Sequence, residues 1–357
     1  MPKTMRALVF HGGGQIGLDE VPLPEAGPSE AVVRVSLTTI CGTDVHIMRE
    51  EWPVARGRVL GHEAVGTIHA LGQGIAGFHV GQRVLVPAIT PCGSCFYCLK
   101  GQWAQCAGHD DRWVMGGGWR LGNSVDGCQA EYFRVPYAQA NMAPIPDALS
   151  DRQVVLLADI ASTGFSAAEK AGLGLGDTVA IFAQGPIGLC ASMGARLKGA
   201  GLIIAVDSVP GRLEMARRLG ADVVLNFEAV DVVAEIRRLT QGRGVDVAIE
   251  ALGSPATFSN GLKVLRPGGT LSSLGLYSHD LTIPPSDYLG GLGDQTIVNT
   301  LCPGGRQRME ALMRLVENRR IDLTPLLTHT FTMAQLPEAY DLFSQQLDGV
   351  LKVAVTP

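Results

Sequence analysis

Hydrophobic residues follow two patterns along this chain, and the change falls near residue 155. Before it, apolar stretches are short, partly alternating, and interrupted at close intervals by Gly and Pro. That pattern predicts an irregular β-rich region, with strands at 7–10, 32–37 and 64–70 and a turn leading into another at 81–87. After it, a helix is predicted over 154–170, then apolar strands at 178–182, 202–206, 222–225, 245–249 and 270–274. The helices between them run through 198 and over 210–219, 231–240 and 255–265. Apolar strands alternating with helices predict a doubly wound parallel sheet of Rossmann type, so the fold class is α/β. Beyond residue 275 the pattern loosens into helices at 306–319 and 339–346 and a closing strand at 350–355. This tail has no place in the parallel sheet and is expected to return to the first region. The expected domains are therefore 1–159 with 301–357, and 160–300 as an insertion.

Composition narrows the class of molecule. A chain of 357 residues, 46% hydrophobic and 18% charged, can build two domains with sizeable cores and is not disordered. A net charge of −5 argues against a nucleic-acid partner, for which a basic face supplies most of the affinity. Residues 1–6 run straight into the first strand without the longer apolar region of a signal peptide. The longest weakly polar run, 179–195, is broken by Gln184, Gly185, Pro186 and Gly188, so no membrane span is expected. A reducing cytoplasm is the expected location. There, eight cysteines of which four are clustered point to metal rather than disulfides.

Those four are Cys92, Cys95, Cys98 and Cys106, in a lobe at 91–109. Four thiolates at these spacings can close a tetrahedron around Zn²⁺ with no open position, the arrangement of a structural site. A nucleic-acid-binding zinc ribbon would carry more bases; this lobe has only Lys100 before Arg112. A second candidate cluster is Cys41-Gly42-Thr43-Asp44-Val45-His46 with Gly61-His62-Glu63. Cys, His and carboxylate are zinc ligand types, although Cys41 alone could equally be a small buried hydrophobe. A third lies after the strand at 178–182, in Ala183-Gln184-Gly185-Pro186-Ile187-Gly188. A strand, a glycine turn and a helix N-terminus suit a dinucleotide pyrophosphate. Ala183 stands where the first motif glycine is expected. Asp207, at the end of the next strand, could bind the ribose hydroxyls and would repel a 2′-phosphate, which favours NAD over NADP. It could also cap the helix that follows. Gly185, Pro186, Ile187, Gly188, Asp207 and Arg212 form the candidate cofactor set.

Together these motifs resemble the zinc-containing medium-chain alcohol dehydrogenases over essentially the whole chain. Within that family, residues 86–91, Gly118-Trp119-Arg120, Asp159 with Thr163-Gly164-Phe165, and residues 301–306 look like the bacterial secondary-alcohol dehydrogenases. That branch is commonly NADP-dependent and lacks the cysteine lobe, whereas this chain has Asp207 and the full lobe.

The resemblance implies a GroES-like β-rich catalytic domain beside the Rossmann domain, two zinc ions per chain, NAD, and a homotetramer. It supplies Asp159 as third ligand of a catalytic zinc with Cys41 and His62, and puts Glu63 beside the metal as a transient or outer ligand. Two negative ligands and one neutral imidazole give the charge sum of the Cys₂His set, so the Lewis acidity need not change much. It implies hydride transfer from a small secondary alcohol to the nicotinamide, with the proton leaving through Thr43 and His46. Ala88, Ile89, Trp119, Leu301 and Cys302 are the implied pocket walls. His11, His69, His79, His109, His279 and His329 are read as ordinary histidines. Two alternatives stay open: a polyol or 2,3-butanediol dehydrogenase, and a zinc-stabilised nucleotide-binding protein without catalysis.

Overall fold

In the computed structural model, residues 3–110, 112–278 and 280–357 are described. Met1, Pro2, Asp111 and His279 lie outside them. The chain divides into two compact units, Met1–Ser162 with Cys302–Pro357, and Thr163–Leu301.

The first unit is built on two sheets, and the larger positions the candidate chemistry. Its central strand, Ala31–Ile40, runs antiparallel to Ala64–Leu71 on one side and to the last strand, Lys352–Thr356, on the other. Thr38 faces Ala64, Ala64 faces Val86, and Ile40 faces Val353. Four chain segments therefore reach the same end of the sheet: the exit of Ile40 into Cys41, the entry of His62-Glu63 into Ala64, the exit of Val86 towards Ala88, and the entry at Lys352. Antiparallel pairing explains why residues far apart in sequence converge there. The strands are fixed by burial: Val33, Val35, Ala64, Ile68, Val84 and Val86 pack in one core with Leu121 and Phe133.

The second unit is a six-stranded, all-parallel sheet. Across it run Val223–Asn226, Leu202–Asp207, Thr178–Phe182, Val245–Glu250, Leu265–Ser273 and Thr296–Asn299. Numbered along the chain within this unit, the order is 3-2-1-4-5-6, the doubly wound dinucleotide-fold order. Its core holds Ala180, Phe182, Ile204, Val206, Ile236, Phe258 and Leu262. Among the described residues no helix is long and apolar enough to cross a membrane.

Several elements differ from the sequence expectation, three of them in the helical half or at its edge. The helix expected over 154–170 is broken into Asp151–Val154, a 3₁₀ turn at Val155–Leu157, and Ile160–Lys170. Residues 154–157 are all fully buried, a run with no 3.6-residue period, and the Ala158 carbonyl leaves the helix to accept the Ala88 N–H at 3.0 Å. Asp159 is left in the break. The strand expected at 270–274 begins at Leu265, with a register shift between its pairs with Val245 and Val247; Gly268 there has φ +71°. The strand Thr296–Asn299 has no expected counterpart, being too short to stand out by pattern.

Candidate active site

Cys41 precedes the short helix Gly42–Met48, and Asp44 anchors its start by accepting the Cys41 N–H at Oδ2, 3.0 Å away. This holds the Cys41 thiol at the sheet end while Thr43 and His46 ride on the helix. The Thr43 hydroxyl lies 3.7 Å from Cys41 Sγ. His46 is half-buried and its Nδ1 pairs with the Glu51 carboxylate.

His62 arrives from the second strand entry, buried, between two carboxylates. Its Nε2 lies 3.5 Å from Asp159 Oδ2 and its Nδ1 3.5 Å from Asp44 Oδ1. The Cys41 Sγ to Asp159 Oδ2 distance is also 3.5 Å. Ligand atoms of Cys41, His62, Glu63 and Asp159 all lie within 4.8 Å of one another. A tetrahedron with zinc–sulfur about 2.3 Å and zinc–oxygen or –nitrogen about 2.0–2.2 Å has edges of about 3.3–3.6 Å. The separations from Asp159 Oδ2 to Cys41 Sγ and to His62 Nε2 both have that length.

The electrostatics ask for a cation at the same point. Burial pushes the Cys41 thiol up, with the Asp159 charge adding to it. Burial pulls the His62 imidazole down, but Asp44, with hydrogen bonds to Asp159 and Cys41, carries it well above its ordinary range. Asp44 Oδ1 and His62 Nδ1 have no hydrogen-bond partner among the described residues and stand 3.5 Å apart. Each faces the other, which suits an Nδ1–H tautomer with Nε2 turned to a metal.

Two residues that sequence reasoning missed complete the surroundings. Lys352 is 1% exposed, donates to the Ile40 carbonyl and to Glu63 Oε1, each at 2.8 Å, and neutralises Glu63. Burial pulls the Lys352 ammonium down, but the Glu63 and Cys41 charges raise it above its usual value. The other Glu63 oxygen accepts from the Thr39 hydroxyl. Gln129 is the second, bonded to Asp44. Nothing local marked either: Lys352 is a lone lysine at the start of a closing apolar strand, and no motif surrounds Gln129.

Of the expected pocket residues, Trp119 meets the His62 ring edge-on at 5.9 Å between centroids, and Ile89 bridges Trp119. Cys302 donates to the Asp159 carbonyl at 3.7 Å, and the Ala88 N–H is bonded beside Asp159 as above. Leu301 belongs to the second unit.

The cysteine lobe is a separate cluster. Cys92, Cys95, Cys98 and Cys106 are free thiols whose sulfurs lie within 4.8 Å of one another, Cys95 to Cys106 at 3.9 Å. A zinc tetrathiolate needs edges of about 3.8 Å. Backbone N–H groups of Cys92 and Gly108 and the Arg120 guanidinium all point at Cys106 Sγ. Burial raises the Cys95 thiol, but N–H donation from Cys98 and Ala107 brings it down to about 6.

In the second unit, helix Pro186–Leu197 starts from Gly185, where an added Cβ would meet nothing within 4 Å. That φ is −66°, open to any residue, so the glycine leaves space rather than supplying a conformation. A Cβ on Gly188 would run into the Ala183 carbonyl. These are the open cradle and close packing a pyrophosphate turn needs, with Pro186 and Ile187 in the first turn of the helix. Asp207 accepts the N–H of Gln184 at 2.6 Å and those of Ser208 and Val209, with Arg212 4.0 Å away. It fixes the turn before the next helix instead of capping that helix's first residues.

Both halves match known families. A zinc-binding dehydrogenase model matches residues 186–318, and an alcohol dehydrogenase GroES-like domain model matches residues 27–147. The chain belongs to the zinc-type medium-chain alcohol dehydrogenase family. Among individual relatives, an alcohol dehydrogenase of Cupriavidus necator is 53% identical over the full length of both chains. The NADP-dependent isopropanol dehydrogenase of Thermoanaerobacter brockii is 36% identical, covering 98% of this chain and 99% of its own. Alcohol dehydrogenase TADH from Thermus sp. ATN1 superposes with a TM-score of 0.89 at 35% identity over 99% of both chains. The protein is thus a zinc-type alcohol dehydrogenase, with a GroES-like domain and a nucleotide-binding α/β domain.

Proposed function

We propose that this enzyme interconverts a small secondary alcohol and its ketone with NAD(H) as hydride partner, using zinc held by Cys41, His62 and Asp159. The observation that carries the reading is the pair of 3.5 Å separations from Asp159 Oδ2 to Cys41 Sγ and to His62 Nε2. Bound zinc would supply Lewis acidity that lowers the pKa of a substrate hydroxyl.

The chain's own residues do the rest. Asp44 holds His62 in the Nδ1–H tautomer. Lys352 and Thr39 engage both Glu63 oxygens, so Glu63 stands behind the metal as a balancing charge. The Thr43 hydroxyl accepts the substrate proton and passes it on, and His46, anchored by Glu51, delivers it to solvent. Trp119, Ile89, Ala88 and Cys302 form unequal apolar walls that suit methyl ketones. Cys92, Cys95, Cys98 and Cys106 hold a second, structural zinc. Gly185, Pro186, Ile187 and Gly188 seat the pyrophosphate, and Asp207, flanked by Arg212, binds the adenine-ribose hydroxyls and repels a 2′-phosphate. The isopropanol dehydrogenase relatives support the secondary-alcohol preference, while their NADP dependence makes the cofactor the sharper question.

Initial rates with each cofactor on 2-butanol, 2,3-butanediol and sorbitol test this. The expected result is a kcat/KM at least about tenfold higher with NAD than NADP, about 1.4 kcal/mol, with 2-butanol the best substrate. Asp207→Gly should narrow the cofactor ratio. Preference for NADP, or for sorbitol, contradicts the proposal.

A further inference from the structure

A buried polar chain runs from the C-terminal helix Leu336–Ser344 to the metal cluster, and hydride transfer uses none of its outer members. The Tyr340 hydroxyl donates to Gln129 Oε1 at 2.7 Å. Gln129 Nε2 donates to Asp44 Oδ2 and to the Thr39 carbonyl, each at 3.1 Å. Asp44 Oδ2 also takes the Cys41 N–H, which leaves Oδ1 for His62 Nδ1. Tyr340, Gln129 and Asp44 are all fully buried.

The direction of each bond is determined. Burial raises the Tyr340 phenol well above its usual range, so it stays a donor. Gln129 must then turn its oxygen to Tyr340 and its NH₂ to Asp44. A reversed amide would set Oε1 against the buried Asp44 carboxylate and leave the phenol facing NH₂. The Gln129 backbone is pinned as well: its N–H donates to the Leu60 carbonyl at 2.9 Å, and its carbonyl accepts from Leu8 at 2.8 Å. Gly61, at φ +93°, has no room for a Cβ, which would lie 2.6 Å from Gln129 Cγ. The amide thus packs directly against the residue that precedes His62.

We propose that Gln129 and Tyr340 are positioning residues of the metal centre: Tyr340 fixes the Gln129 amide, Gln129 fixes Asp44, and Asp44 fixes the His62 ring. The last helix thereby sets how firmly His62 holds the metal. Outer partners of a metal-bound histidine fix its orientation and raise its basicity, and their loss costs 10–100-fold in metal affinity. The proposal rests on the assignment of Cys41, His62 and Asp159 as zinc ligands.

The test compares zinc-loaded wild type, Tyr340→Phe, and the double variant Gln129→Leu with Tyr340→Phe. Zinc release to a chromogenic chelator and the visible spectrum of the cobalt-substituted proteins are the readouts. Wild type should hold two zinc ions. Tyr340→Phe should release one of them about tenfold faster or more, with the other unchanged and the cobalt bands shifted. The double variant replaces both partners by apolar groups and leaves no orphaned amide, so it should keep its fold and show the same fast release even if the single variant does not fold. If wild type holds only the lobe's zinc, the metal-site assignment fails and the proposal with it. If wild type holds two and every variant that folds releases both within about twofold of wild-type rates, with unchanged cobalt spectra, the positioning role alone is overturned.

Discussion

Asp44 shows how a single residue's role depends on partners that sequence distance hides. Read in sequence, it is one acid between a thiol and a histidine, with no function beyond ordinary hydrogen bonding. In the structure one oxygen tethers the Cys41 backbone and the other faces His62. Ala183 is the opposite case, a departure visible in sequence whose cost only the backbone reveals. Its φ is +70°, the left-handed region that the missing motif glycine would occupy without strain. Left-handed geometry costs a non-glycine residue about 1–2 kcal/mol, offset by about 0.4–1 kcal/mol of extra unfolded-state freedom that a glycine brings. Ala183→Gly should therefore raise folding stability by about 0.8 kcal/mol, taking the middle of each range. Urea unfolding checks this; an unchanged or lower midpoint contradicts the strain assignment.

At the scale of elements, what the sequence made legible tracks how local the signal is. The first four parallel strands were readable because each is a largely apolar run followed by a helix. The cysteine lobe was readable because its four cysteines sit within one short segment. The Cys41–His62 pairing was only suggested, because it depends on register: Thr38 opposite Ala64 puts both residues at one sheet end. Asp159 was reachable only through resemblance, and its surroundings were misread as continuous helix. Lys352 was missed, because a lone lysine in a closing strand carries no pattern. It makes the strand Lys352–Thr356 part of the site's charge balance. Removing one partner of a buried ion pair costs about 3–5 kcal/mol, since the other charge is left uncompensated. Lys352→Met should lower the urea midpoint accordingly in chelator-treated protein, where no bound cation takes the lysine's place. Adding Glu63→Gln should recover part of the loss. A single variant as stable as wild type would show that the pair contributes nothing.

For the whole molecule, the first unit gathers every candidate zinc ligand and the second carries the dinucleotide turn. The first unit's candidate ligands come from the 41–63 segment, the cysteine lobe and Asp159, and Lys352 and Tyr340 hydrogen-bond towards them from its C-terminal segment. Family membership establishes a zinc-type alcohol dehydrogenase, and the account's central claim is which residues hold the reactive metal. Zinc content of purified wild type and Cys41→Ala, set against turnover of 2-butanol, tests it most directly. The account predicts two zinc ions per chain in wild type, and in Cys41→Ala one zinc, retained by the lobe, with turnover abolished. Two zinc ions and undiminished turnover in Cys41→Ala would contradict it.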